Sequence, residues 1–121
     1  MKTKCILLLL ISAAIAAAAF STHMVRAQAA PRRIEITAKR FTYEPSEITL
    51  KKGQPVVLVI HSEDVTHGLR VRELNLNAKI EKGTPVELSF TPDKTGDFVG
   101  HCSVFCGSGH GGMTLTLHVV E

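Results

Sequence analysis

Hydrophobic and polar positions divide the chain into two unlike parts. Residues 5–20 are apolar almost throughout and follow two lysines, Lys2 and Lys4. After Pro31 the apolar residues come in short groups rich in Val, Ile and Thr, and none holds a helical period. Residues 34–41 alternate, with Ile34, Ile36 and Ala38 on one face, which predicts a first strand. A turn at Tyr43-Glu44-Pro45-Ser46 leads to a short strand over residues 48–51. Lys52-Gly53-Gln54-Pro55 then turns the chain into Val56-Val57-Leu58-Val59-Ile60, a continuous apolar run suited to a strand buried on both faces. Residues 69–71, 78–81, 86–90 and 97–102 predict further strands, and residues 113–120 close the chain with Leu115, Leu117 and Val119 alternating inward. Phe41, Phe90, Phe98 and Phe105 are assigned to the core, and Phe105 is also placed to shield the loop it belongs to. Seven or eight short strands at roughly 8–12-residue spacing predict an all-β, Greek-key β-sandwich.

The N-terminal part has the layout of a secretory signal: basic start, apolar middle, and small residues at Ala27-Gln28-Ala29 for cleavage. Its apolar run is shorter than the ~20 residues of a membrane span. The chain is therefore divided into a signal peptide at 1–29 and one domain at 30–121. Export to the periplasm or another compartment outside the cytoplasm is expected, with membrane contact only if the segment remains as an uncleaved anchor. Cleavage also removes Lys2, Lys4 and Arg26, so 14 basic residues become 11 against 11 acidic ones. A near-neutral domain leaves no footprint for nucleic acid. A core this small is marginal, and a bound metal would add to its stability.

The candidate chemistry sits in Cys102-Ser103-Val104-Phe105-Cys106-Gly107-Ser108-Gly109-His110-Gly111-Gly112-Met113. Two thiols, an imidazole and a thioether follow one another at spacings of four, four and three residues. These are soft and borderline ligands, and the stretch holds no carboxylate for a hard ion such as calcium or magnesium. Zinc rarely takes a thioether, whereas copper takes all three donor types. A further ligand is available upstream, at His67 in Asp64-Val65-Thr66-His67-Gly68-Leu69.

With that earlier histidine, the spacing Cys102-x3-Cys106-x3-His110-x2-Met113 resembles the CuA domain of cytochrome c oxidase subunit II and nitrous-oxide reductase. The resemblance extends from about Ile34 to Val120. It implies a cupredoxin-like fold and two copper ions bridged by the thiolates of Cys102 and Cys106. His67 and His110 would be terminal ligands and Met113 a weak axial one. The family's backbone-carbonyl ligand falls on Val104, where the side chain is immaterial to coordination. Single-electron transfer follows, without catalysis by the domain itself. The partners implied are a cytochrome c or an oxidase or reductase complex, and a copper-delivery protein for assembly. The chain departs from the family in having no Trp, no acidic run and room for at most one membrane helix. It is therefore expected to be a free-standing domain.

Other readings of the same residues stay open. Cys102 and Cys106 are close enough in sequence for a structural disulfide, which an exported protein permits, though this leaves His110 and Met113 unexplained. Cys106, His110, Met113 and His67 would also suit a single copper, with Cys102 spare. A copper chaperone or storage protein would use the same ligands but exchange metal readily. No Ser-His-Asp pattern, paired carboxylates or open metal position points to an enzyme. His101 precedes Cys102 and should face outward, His61 reads as a strand-end residue, and His118 falls out of phase with its apolar neighbours.

Overall fold

Alternating burial along short strands builds two sheets that close over one core. The computed structural model describes residues 30–121, so the segment read as a signal peptide, with Cys5 and Ala27-Gln28-Ala29, lies outside the described residues. Nine strands follow in order: β1 Arg32–Lys39, β2 Thr42–Glu44, β3 Glu47–Lys51, β4 Val56–Ser62, β5 His67–Val71, β6 Leu76–Ile80, β7 Val86–Phe90, β8 Gly96–His101 and β9 Thr114–Val120. One sheet has the order β2-β1-β4-β7 and the other β3-β9-β8-β5-β6. Two pairs are parallel, β1 with β4 and β3 with β9; the rest are antiparallel. The chain therefore crosses repeatedly between the sheets, as the sandwich expectation requires. Among the described residues no helix is long and apolar enough to cross a membrane.

β4 lies between β1 and β7, and Val56 through Ile60 are all buried, which accounts for a run with no polar alternation. β9 also lies between two strands, β3 and β8, but only its inward residues Leu115, Leu117 and Val119 are buried, and its other positions are half-buried or exposed. Ile36, Leu58 and Ile60 of the facing sheet and Leu50, Leu69 and Ile80 of the same sheet complete the core with them.

Three local expectations change. The turn at Tyr43-Glu44-Pro45-Ser46 contains the end of β2, which pairs Ala38 with Tyr43 and buries the Tyr43 ring completely. Three residues are too few to show alternation, and a proline follows directly. Phe98 is buried and Phe90 packs against the core, but Phe105 is 77 % exposed and Phe41 36 % exposed. Phe105 belongs to a loop outside the sheets, so no inward strand position exists for it; its ring instead tilts against His110 at 5.6 Å. The Phe41 ring lies beneath Gly107 and Gly109 of that same loop.

The loop between β8 and β9, the start of β5 and the β1–β2 connection converge at one end of the sandwich. His101 is exposed as expected, His61 bonds Thr37 near the end of β4, and half-buried His118 lies between Asp97 and Glu47.

Candidate metal centre

Strand β8 ends just before Cys102, and β9 begins just after Met113, so two paired strands hold both ends of the loop. The Cys102 N–H donates to the Met113 carbonyl, which brings the first and last sulfur residues of the loop side by side. The two thiols are free, with their Sγ atoms 3.6 Å apart. That separation is well beyond a disulfide bond. His67 Nδ1 stands 4.0 Å from Cys102 Sγ, and His110 Nδ1 stands 3.8 Å from Cys106 Sγ. Met113 Sδ is 3.9 Å from Cys106 Sγ, and the Val104 carbonyl accepts from the Cys102 thiol at 3.1 Å. The ligand atoms of His67, Cys102 and Cys106 all lie within 4.8 Å of one another. All six positions singled out in the sequence therefore meet at one place. His67, Cys102, Cys106 and Met113 are buried, whereas His110 and Val104 are half-buried.

The surroundings explain why the donors point inward. Asp64 Oδ1 takes the far nitrogen of His67, Nε2, at 2.7 Å and leaves Nδ1 toward the sulfurs. Asp64 Oδ2 also accepts the Arg40 N–H at 2.8 Å, while Arg40 Nε donates to the Cys106 carbonyl at 2.8 Å. One residue of the β1–β2 connection thus ties the histidine to the thiol loop. The buried Tyr43 hydroxyl donates to the Gly68 carbonyl, and the Gly68 N–H points at Cys102 Sγ at 3.5 Å. Gly107 has a φ of +136°, a conformation open to glycine and strained for other residues.

Asp64, Arg40 and Tyr43 were given no role by the sequence. Asp64 carried a usable signal, since a carboxylate three residues before a candidate ligand histidine can reach its ring. Arg40 carried none, because 66 residues separate it from its Cys106 partner.

Electrostatics follow this geometry. Burial pushes the Asp64 carboxyl up, but the Arg40 N–H, the His67 ring and the Val65 N–H outweigh it and hold it at about 2. A carboxylate held below its unfolded value of about 3.9 contributes stability above that pH and loses it as pH falls through the folded value. The metal-free Asp64→Asn variant should therefore be less stable than wild type at neutral pH, with the gap narrowing below about pH 4 and closing near pH 2. Urea midpoints against pH measure this, and a gap constant with pH would refute the assignment. Burial pushes the Cys106 thiol up to about 11, with the Cys102 thiol adding to the rise and Arg40 opposing it. Without metal it is protonated at neutral pH, so metal binding there must release a proton. Burial, with the Cys102 thiol beside it, likewise raises the Tyr43 phenol well above its ordinary value.

The donors present suit copper: two sulfurs faced by two imidazoles, a thioether and a carbonyl, with the nearest carboxylate already committed to the far side of His67.

Comparison with known proteins places the chain in a family. The cupredoxin-like domain family matches residues 6–115. The chain is 32% identical over 88 residues to cytochrome c oxidase subunit 2 of Thermus thermophilus, covering 73% of this chain and 65% of that protein. It is 31% identical over 81 residues to the nitrous-oxide reductase of Cupriavidus necator, covering 64% of this chain and 13% of that one. The chain thus spans less than two thirds of the length of these curated relatives. Its fold superposes with a TM-score of 0.70 on the periplasmic domain of subunit II of cytochrome oxidase from Bradyrhizobium japonicum, at 21% identity, covering 77% of this chain and 86% of that one.

Proposed function

Because this chain belongs to the cupredoxin-like domain family and is homologous to cytochrome c oxidase subunit 2 and nitrous-oxide reductase, we propose that it is an exported copper protein carrying single electrons through a dinuclear, CuA-type centre. The observation that carries this reading is the pairing of donors. Two thiols 3.6 Å apart are each faced by one imidazole Nδ1, His67 for Cys102 and His110 for Cys106. A single-copper site would leave one of these sulfur–imidazole pairs without work. The residues that would hold the centre are Cys102, Cys106, His67, His110, Met113 and, through its carbonyl, Val104.

When bound, such a centre would supply one-electron transfer with little rearrangement of its ligands. The protein's part is to keep those ligands in place. β8 and β9 fix the ends of the loop, Asp64 fixes the His67 ring, and Arg40 fixes the Cys106 carbonyl. Burial of four of the six positions keeps water away from the sulfurs. A metal held by protein donors alone would leave no open position for a substrate, so the domain's own part would be electron transfer. A cytochrome c or an oxidase or reductase complex outside the cytoplasm would be its electron partner, and a copper-delivery protein would load it.

Copper stoichiometry and electron paramagnetic resonance on the reduced, reconstituted protein test the reading. Two coppers per chain, with hyperfine structure from one electron shared over both, are expected. One copper with a single-nucleus pattern would move the assignment to a mononuclear carrier. Loosely held copper without thiolate charge-transfer colour would make the protein a chaperone or store.

A further inference from the structure

Five arginines lie among the described residues, and the guanidinium groups of three of them have hydrogen-bond partners. Arg32 donates to the Thr49 carbonyl, Arg33 pairs with Glu87, and Arg40 donates to the Cys106 carbonyl. Arg70 and Arg72 have none among the described residues, and both are exposed, Arg70 on β5 and Arg72 in the 3-10 turn Arg72–Leu74 that follows it. They line a recess of about 440 Å³ that also touches Glu73, His101, Cys102 and Ser103. Arg70 lines two adjoining recesses as well, one of about 470 Å³ shared with Arg72 and one of about 240 Å³ reaching Lys79 and Val104. Together they form a shallow groove that starts beside Cys102 and Ser103 of the thiol loop and runs out over β5 and β6.

We propose that this groove is a docking surface for an acidic protein, whose carboxylates engage Arg70 and Arg72 and bring it against the Cys102 side of the metal loop. A guanidinium presents a planar fork of donors that matches a carboxylate, and two such forks without internal partners are a complement awaiting an anion. An anionic membrane fits less well. Attraction to one takes clusters of roughly four to eight basic residues, whereas this groove is concave and offers two free guanidiniums with Glu73 beside them. Lys79 adds little, being paired with Glu81 at 2.7 Å. That the docked protein exchanges electrons rests on the proposed copper function; the docking itself does not, and it is read on metal-free protein.

The test is a titration of isotope-labelled, reduced, metal-free protein with short poly-L-glutamate at low salt, followed by amide chemical shifts. Shifts are expected at Arg70, Arg72, His101 and Ser103. Arg70→Gln with Arg72→Gln should weaken binding roughly five- to tenfold. Lys51→Gln with Lys82→Gln removes the same charge from exposed positions elsewhere and should weaken it about twofold at most. Equal weakening in both pairs would reduce the effect to net charge, and shifts centred on another face would misplace the surface; either overturns the proposal. So would binding to phosphatidylglycerol vesicles, but not to the peptide, that the Arg70/Arg72 pair abolishes. A failed copper stoichiometry with an intact titration would remove only the electron-transfer role.

Discussion

Cys102→Ser is expected to fold and to lose the metal centre. The Cys102 sulfur accepts from the Gly68 N–H and donates to the Val104 carbonyl, and a serine hydroxyl can make both contacts. Stability of the metal-free protein should therefore change by about 1 kcal/mol or less, the size of one exchanged hydrogen bond. Metal binding behaves differently. Changing groups behind a metal ligand already costs about 10–100-fold in affinity, and removing a shared thiolate should cost more than about 100-fold for the pair. Any copper that remains should sit between Cys106, His110 and Met113 and give the resonance pattern of a single nucleus. Calorimetric unfolding of the metal-free variant, set beside its copper content and spectrum, separates the two effects. A Cys102→Ser protein that still shares one electron between two coppers would end the bridging assignment.

The second large effect is steric. Gly68 lies where β5 passes the thiol loop, and a methyl group there would come within 2.2 Å of Ser103 Oγ, 3.0 Å of the Val104 nitrogen and 3.1 Å of Val104 Cγ2. The serine hydroxyl can rotate away, but the Val104 backbone cannot move without carrying its carbonyl with it. Gly68→Ala should cost about 1–3 kcal/mol in urea unfolding, the usual range for forcing extra volume into a packed site. Copper uptake should fall as well, because the displaced segment contains Cys102 and Val104. Adding Ser103→Gly removes the closest clash and should recover part of the stability, leaving the backbone contact unrelieved. Unchanged stability in Gly68→Ala would mean that the loop does not rest on β5 as described.

The strands that show in the sequence are those whose burial has a simple period. β9 alternates Leu115, Leu117 and Val119 against polar neighbours, and β4 is apolar from Val56 to Ile60 because residues on both its faces are buried there. β5 is longer than its apolar residues suggest. His67 and Gly68 look like loop composition, yet both are buried, the first as a candidate ligand and the second because only a hydrogen fits beside Ser103. Phe105 misleads in the opposite direction, since hydrophobicity predicts burial only where a strand offers an inward position. The candidate donors were legible because four of the five donor side chains fall within twelve consecutive residues. Their supports were not, since Arg40 and Tyr43 act through folding contacts that sequence separation hides.

The position of β9 between β3 and β8 also sets a timetable. A chain that emerges N-terminus first from a ribosome or a translocation pore delivers this interior strand last, and the thiol loop immediately before it. Until β9 pairs, Cys102 and Cys106 are four residues apart on an open segment, with neither the Gly68 N–H nor the Arg40 guanidinium to hold them in place. Two thiols so placed in an oxidising compartment can close on each other before any metal arrives. On the proposed function, copper capture would thus come late in the assembly of the domain, and its rival would be the time spent in transit.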